Sequence, residues 1–517
     1  LNRKSWIELT LSAVVLIFAF PPFPTGIMAL VALVPLFFFA NEKSPREGFI
    51  GGFVTGLIWT CGTVYWIAWP TIPGFLGTLL IVPLYTALFL WLLVILRNLW
   101  GEKALWVAPF LWTTLEYFSS IGPFAFPWNL LCYTQTFRLE PLQMAHITGL
   151  WGISFWVVTV NVCFYFFAKK VLAKQSAVLA LMSTLALALA PWIYGTIQLK
   201  QQPTVSPDVN IAMIQGNVDP QLKWTPAFKD SNFSIYQHLT DEARTYEPDL
   251  IVWPETATAC YLTHLRYSRY MRRIRAQLTE MKTPLLTGSP DYRFLTSGKL
   301  ERYNSALLIK PFDFHVKRYH KISLVPFSER VPFVDKLPFL LKVGDYFKLG
   351  MGNFTPGDST VVFNIEKRRS GTATRFSPLI CYDSVFPDLV RQSVSRGAEF
   401  LVLITNDGWF GRTSGPYQHA RIAILRAIEN RRWIARCANT GISLCIDPAG
   451  RIHGKTALNE ATILSCKVGA NTERTFYNRH GGIMIKVLAG ITMVFCGIGV
   501  LCFFQRKRKL QQLLYEL

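Results

Sequence analysis

Apolar residues are spread unevenly along the 517 residues, and this unevenness limits the folds open to the chain more than any short motif does. They crowd about the first 200 positions, thin out over nearly 300, and return once close to the C-terminus. A helix needs about 20 apolar residues to cross a bilayer. Eight stretches are candidates: Trp6–Phe20, Ile27–Ala40, Phe49–Ala68, Leu76–Leu96, Ala104–Phe118, Trp151–Phe167, Ala177–Tyr194 and Ile483–Phe504. The first two are short and flank Pro21, Pro22 and Pro24, so they read as a tilted helical hairpin. A secretory signal is the rival for the first, but Phe20-Pro21-Pro22-Phe23-Pro24 offers no small-residue cleavage site. The expected layout is a transmembrane helical block over 1–200, a soluble domain over 203–480, and an anchor with a basic tail over 481–517.

Positive charge orients this layout. Arg3 and Lys4, Lys43 and Arg46, Arg97 and Lys103, Lys169, Lys170 and Lys174, and Arg506–Lys509 fall on alternate loops, which marks those loops as cytoplasmic. By alternation the soluble domain lies outside the cytoplasm. The formal net charge of +21 comes from these flanks and from a soluble domain that is itself basic. Arg266, Arg269, Arg272, Arg273 and Arg275 put several guanidiniums on one helical face, either solvated or drawn to anionic headgroups at about 1 kcal/mol per charge. Nucleic acid is not an expected partner, because the domain faces away from it.

The ten cysteines show no metal-ligand spacing and no small-domain disulfide framework. Five lie in or beside the spans. The other five, Cys260, Cys381, Cys437, Cys445 and Cys466, are an odd number in a compartment that favours oxidation, so at least one thiol is expected to stay free.

Between Val209 and Val468, β-rich runs alternate with helical ones. The runs are Val209–Gln215, Leu250–Trp253, Pro284–Ser289, Tyr303–Lys310, Pro378–Cys381, Phe400–Thr405 and Gly441–Ile446, and the helical patterns include Ser231–Tyr246 and His419–Ala435. Such interleaving predicts an α/β sheet domain, where chemistry gathers at strand ends. Three strand ends carry reactive groups. Leu250-Ile251-Val252-Trp253-Pro254-Glu255 stops at a carboxylate, Tyr319-His320-Lys321 leads to an ammonium with Glu329 eight residues on, and Leu379-Ile380-Cys381 ends in a thiol.

A thiol facing a helix N-terminus is where thiolate is favoured, which makes Cys381 the candidate nucleophile. Glu255 can move its proton if apolar surroundings raise the carboxyl pKa. Lys321 can hold the charge that develops on an attacked carbonyl. Each residue also has an ordinary reading: a packed thiol, a helix-terminal carboxylate, a surface lysine. The joint pattern is more specific than any member.

Together these residues resemble the nitrilase, or carbon-nitrogen hydrolase, superfamily, which carries a Glu-Lys-Cys triad on an αββα sandwich. The similarity extends to its membrane-bound branch, the apolipoprotein N-acyltransferases. Phe126-Pro127-Trp128 with Tyr133 and Gln135, Gly149–Ser154, Ala212–Asn217 with Lys223-Trp224, Thr405–Gly411, Gly415–His419 and Thr475–Gly481 all resemble motifs of that branch. The resemblance implies a membrane α-helical bundle of about eight spans joined to a nitrilase-like αββα domain. It further implies Glu255, Lys321 and Cys381 as the triad, Glu329 as an auxiliary carboxylate, and Tyr382, Asp383, Trp409, Trp224, Phe126, Trp128 and Tyr133 at the substrates. Three positions depart from the family pattern: Asp383 stands where Glu is usual, Ser328 where Gly is usual and Gly408 where Ala is usual.

The implied reaction takes an acyl chain from a membrane phospholipid onto Cys381 as a thioester, then onto the N-terminal amine of a diacylglyceryl-modified apolipoprotein. The implied partners are therefore phospholipid, lipoprotein and the bilayer, in a bacterial cytoplasmic (inner) membrane with the catalytic domain outside, and no metal, nucleotide or other cofactor is implied. A membrane-tethered amidase or nitrilase is the alternative, and it would release ammonia from a small C–N substrate without lipid. A transporter with a sensing domain is disfavoured because Glu116 is the only obvious ionisable residue within the spans. An inactive binding paralogue is disfavoured by the intact triad.

Overall fold

The strands of the soluble part read as near-continuous apolar runs because both of their faces are covered. Twelve strands occur among the described residues: β1 Val209–Gln215, β2 Leu250–Val252, β3 Leu285–Phe294, β4 Leu300–Ile309, β5 Lys317–His320, β6 Phe363–Glu366, β7 Ala373–Ile380, β8 Phe400–Thr405, β9 Ile434–Ala438, β10 Leu444–Ile446, β11 Ile452–Lys455 and β12 Thr462–Val468. They form two six-stranded sheets, ordered β12-β1-β2-β3-β4-β5 and β11-β10-β9-β8-β7-β6. β1, β2 and β3 run parallel at the centre of one sheet, as β7, β8 and β9 do in the other. The side-chain period of two then divides each strand between two cores. Ile211 and Met213 of β1 face inward with Val252, Leu286, Phe376, Ile380, Val402 and Ile404. Ala212 and Ile214 face outward to Phe233, Tyr236, Tyr270 and Ile274, which lie on the helices Lys229–Glu242 and Ser268–Met281. Helices Pro387–Ser395 and Gly415–Asn430 accompany the second sheet, completing an αββα sandwich.

Two differences from the sequence reading have simple causes. The expected helix His419–Ala435 ends at Asn430, where Arg431 takes a left-handed φ of 50°, and Ile434–Ala438 is a central strand instead. β5, β6, β11 and β12 carry charged or exposed residues along their length, so their apolar alternation is weak. Cys445 on β10 and Cys466 on β12 form a disulfide that joins the two sheets, leaving Cys260, Cys381 and Cys437 as thiols. Of the arginine group, Arg269 pairs with Asp230 at 2.9 Å and Arg275 donates to the Phe314 carbonyl, while Arg266, Arg272 and Arg273 are exposed.

The computed structural model describes residues 1–201, 206–337, 339, 342 and 353–516. The Pro203 boundary expected for the soluble domain lies outside the described residues. By contact the chain separates into two units, one of Leu1–Tyr65, Phe75–Gln198 and Gly482–Leu517, the other of Trp66–Gly74 with Leu199–Gly481.

In the helical unit, five runs among the described residues are long and apolar enough to cross a membrane: Pro45–Ala68, Ile72–Ser119, Leu150–Leu172, Val178–Gln201 and Ile483–Cys502. Ile72–Ser119 holds two of the eight expected stretches, as helices Ile72–Trp100 and Ala108–Ser119. The expected Ile27–Ala40 span is instead a 3-10 turn, Gly26–Leu30, followed by the short helix Val34–Phe39, and Trp6–Phe20 corresponds to the 17-residue helix Arg3–Ala19. Leu179, Met182, Ile193, Met493 and Val494 are exposed, as residues facing hydrocarbon are. The helix Pro45–Val64 starts at a capping box in which Glu47 N–H donates to Ser44 Oγ and Ser44 N–H to Glu47 Oε2. Its Gly52 lies so close to the next helix that a Cβ would sit 2.4 Å from the Thr86 carbonyl oxygen, the small-residue contact by which membrane helices approach. Glu116 accepts from Trp112 Nε1 at 2.9 Å and from Leu131 N–H at 2.7 Å, bonds that hold the loop at Leu131.

Candidate active site

Both sheets deliver their reactive residues at the ends of parallel strands. β2 ends at Val252, and Glu255 follows in a turn that brings Thr256 to a φ of 50°. Gly288 of β3 crosses this turn so closely that a Cβ would lie 2.4 Å from Thr256 N, so only glycine fits there. Glu255 Oε1 accepts from Asn304 Nδ2 at 2.8 Å and from Lys321 Nζ at 3.3 Å, and Oε2 accepts from the Asn406 N–H at 3.0 Å. These surroundings are polar, so the condition that apolar neighbours raise its pKa is not met by its hydrogen-bond partners.

Lys321 follows β5 and is 1% exposed. Its Nζ also donates to Glu329 Oε1 at 2.9 Å, and Glu329 Oε2 accepts from the Val325 N–H at 2.9 Å. Burial alone would lower the Lys321 pKa, but Glu255 and Glu329 overcome it and hold the ammonium well above its usual range. Lys321 is therefore a permanent cation between two carboxylates.

Cys381 follows β7 at a φ of 48°, in the left-handed region that a side chain adopts only when its surroundings hold it. Ser384 Oγ donates to the Cys381 carbonyl at 2.8 Å, and His419 Nε2 lies 3.2 Å from the same oxygen. His419 Nδ1 lies 2.9 Å from Asp407 Oδ1, and Arg436 Nη2 donates to Asp407 Oδ2 at 2.8 Å. Burial would raise the Asp407 pKa, but Arg436 and His419 together hold the carboxyl well below the usual carboxylate range. The sequence reading favours thiolate at Cys381, and the structure acts against it: burial pushes the thiol up and Glu255 adds to this, while Lys321 pulls the other way. The five-residue 3-10 turn that Cys381 starts is too short to supply a helix dipole of weight.

Asp383, expected at the substrate, is fully buried and serves the turn. Its Oδ2 accepts from Tyr319 Oη at 2.8 Å and from the Ile380 N–H at 3.1 Å, and its Oδ1 from the N–H groups of Ile322 and Ser323 at 3.2 and 2.8 Å. One carboxylate thus ties the turn of Cys381 to both sides of Lys321. Burial raises its pKa to about 6, against the pull of Lys321 and these donors.

A cavity of about 1040 Å³ lies beside the carboxylates, at the upper end of the usual range for ligand pockets. Glu255, Glu329 and Asn304 open onto it, with Trp224, Trp409, Tyr261, Tyr267 and Phe354 as aromatic wall. Trp224 and Trp409, read from sequence as substrate-binding, both line this cavity. Tyr382 does not: it is 4% exposed, is absent from this wall and packs edge-on to Phe386. Phe126, Trp128 and Tyr133 belong to the helical unit, where Trp128 and Tyr133 are buried in packing and Phe126 alone touches a small cavity lined by Trp59 and Trp112.

Sequence reasoning missed several residues. Asn304, on β4, bridges Glu255 and Glu329 through Nδ2. Lys223, 1% exposed, donates to Thr256 Oγ1 at 2.6 Å, and burial lowers it to about 8 despite Glu255. Trp69 and Pro70 line the cavity, because Trp66–Gly74 packs with the catalytic unit: Trp66 Nε1 donates to Gln418 Oε1 at 3.0 Å and its ring lies 4.5 Å from Phe410. The apolar profile carried Phe49–Ala68 through as membrane span and hid this segment.

Residues 210–476 match the carbon-nitrogen hydrolase family model, and residues 12–163 match the apolipoprotein N-acyltransferase N-terminal domain. An apolipoprotein N-acyltransferase of Geobacter metallireducens is 36% identical, covering 95% of each chain. One of Chlorobaculum tepidum is 33% identical over 94% of each. Among solved structures, an amidase from Nesterenkonia sp. is similar at 20% identity over 53% of this chain and 96% of that one, with a TM-score of 0.38.

Proposed function

The chain belongs to the apolipoprotein N-acyltransferase family, within the carbon-nitrogen hydrolase superfamily, and we propose that it transfers an acyl chain from a membrane phospholipid to the N-terminal amine of diacylglyceryl-modified lipoproteins. The observation that carries this reading is the Lys321 ammonium held between Glu255 and Glu329 beside a buried thiol and a large aromatic-walled cavity.

Glu255 takes the Cys381 proton as Sγ attacks the phospholipid ester carbonyl. Lys321 offsets the negative charge that gathers on the carbonyl oxygen. The ester C–O bond breaks, Glu255 returns the proton to the departing lysophospholipid oxygen, and a thioester remains. The lipoprotein amine then attacks the thioester, Glu255 receives its proton, the C–S bond breaks, and that proton restores the thiol. Glu329 and Asn304 keep Lys321 and Glu255 in register through both steps. Asp383, Ser384 and His419 hold the turn on which the sulfur sits.

The five long apolar runs support a membrane-bound enzyme. Basic loops on alternate connections, together with an inter-sheet disulfide, support a catalytic domain outside the cytoplasm of the inner membrane. The test is to incubate the purified full chain with phospholipid and a diacylglyceryl peptide. Triacylated peptide and lysophospholipid in equal amounts are expected. Free fatty acid without acylated peptide would make the chain a lipase or amidase relative and end the proposal.

A further inference from the structure

The cavity wall carries two cations that acyl transfer as described does not use. Lys229 begins the helix Lys229–Glu242, Arg302 lies on β4, and both line the cavity. Among the described residues neither makes an ion pair; Lys229 Nζ instead lies 4.7 Å from the centre of the Tyr267 ring. The carboxylates nearby are already engaged. Lys321 joins Glu255 and Glu329, and Asp219 Oδ1 accepts from the N–H groups of Gln221 and Leu222.

Asn304 adds a polar side chain to the same wall. It is 3% exposed and lines the same cavity, and its Nδ2 is committed to Glu255 and Glu329, which fixes the other amide atom as an acceptor. That Oδ1 has no partner among the described residues.

We propose that Arg302 and Lys229 receive the phosphodiester of the donor phospholipid's headgroup. The inference rests on the acyl-transfer reading and names how its donor is recognised. A guanidinium suits the paired oxygens of a phosphodiester and an ammonium acts as a point charge beside it. Both cations line the cavity onto which Glu255 opens, so a headgroup held there brings its ester to the acid that protonates the leaving oxygen.

The test follows thioester formation by intact mass on the full chain, with either phosphatidylethanolamine or diacylglycerol of the same acyl chains in mixed micelles. Wild type should prefer the phospholipid. Arg302→Ala with Lys229→Ala should raise the half-saturating phospholipid fraction by at least about tenfold, leave the diacylglycerol rate within about twofold, and recover part of the loss when Arg302→Lys replaces Arg302→Ala. An unchanged preference, or an equal fall on both donors, would overturn the assignment. Glycerophosphoethanolamine should bind wild type by calorimetry more tightly than inorganic phosphate does, and the double variant should lose this binding. Equal binding of the two anions would mean a general anion site and would also overturn it. If wild type forms no thioester from either donor yet binds the headgroup in a manner lost in the double variant, the acyl-transfer reading fails and the phosphate site stands.

Discussion

The nucleophile's turn and the cavity wall face the same chemistry but are built in opposite ways. Around Cys381 the polar atoms are bonded to one another: Asp383 accepts four hydrogen bonds, and the Cys381 carbonyl meets Ser384 and His419, which leans on Asp407 and Arg436. Across the cavity, Trp224 and Arg302 are exposed, and among the described residues Lys229 is half-buried without an ion pair and Asn304 keeps an unpaired acceptor. The difference assigns the labour. Bonded geometry sets the position of sulfur, acid and cation, whereas the open wall is left to select what reaches them. Substitutions on the first side should act on kcat and those on the second on KM.

The comparison breaks most sharply at Cys381 and Glu255. Cys381→Ala should abolish the acyl adduct altogether. Glu255→Gln removes the proton carrier for both half-reactions, and because burial pushes the thiol pKa up, the rate should fall by about 10²- to 10⁴-fold, the usual worth of general acid–base catalysis. A loss confined to KM in Glu255→Gln would mean that the thiol ionises without it.

Next in size is Asp383. Asp383→Ala leaves the N–H groups of Ile380, Ile322 and Ser323 and the hydroxyl of Tyr319 without their acceptor, so kcat should fall by about 10²-fold with KM little changed, alongside lower thermal stability. Asp383→Glu places one more methylene in a fully buried site and should cost about 1–3 kcal/mol of stability unless the turn repacks. The wild-type carboxyl also predicts a pH effect with a definite sign. Its pKa is raised from 3.8 to about 6, so the folded chain holds this proton more tightly than the unfolded chain does. The stabilisation this gives is complete below 3.8 and is lost as pH rises through about 6. Activity should run the other way, because protonation removes the charge that three backbone N–H groups are aimed at. An acid limb near pH 6 that is absent from Asp383→Asn would sharpen the division; the same limb in both would remove Asp383 from it.

On the open side, Trp224→Ala should raise the KM for the acylated substrates several-fold and leave the rate of saturated enzyme within about threefold, since it removes aromatic wall and touches no bonded group of the turn. A fall in kcat with KM unchanged would place Trp224 among the positioning residues. The smallest effect on catalysis is expected from the Cys445–Cys466 disulfide, which spans 21 residues and joins the two sheets. Replacing both cysteines by serine should lower the melting temperature of the catalytic unit by several degrees, from about 3 kcal/mol of lost loop closure, with kcat/KM within about twofold.

How much of this could be read from the sequence follows the same contrast. The strand ends at Glu255 and Cys381 were legible because an apolar run stopped by a reactive residue is a local signal, and Val209–Gln215 and Phe400–Thr405 were bounded correctly for the same reason. The place of Asp383 in the turn was not legible, because its partners are distant in sequence, at Tyr319 to Ser323. Asn304 sits mid-strand with nothing local to mark it. Trp69 falls between two expected spans, and hydropathy does not report which unit such a segment packs with. The thiol's protonation state depends on burial, which strand-end position does not reveal.

The most direct test of the account is a two-step intact-mass experiment on the purified full chain. Phospholipid alone should add the mass of one acyl chain, labile to hydroxylamine and absent from Cys381→Ala, and a diacylglyceryl peptide added afterwards should remove that mass and gain it as an amide. Acylation of the peptide by Cys381→Ala, or a wild-type adduct that discharges only to water, would contradict transfer through Cys381.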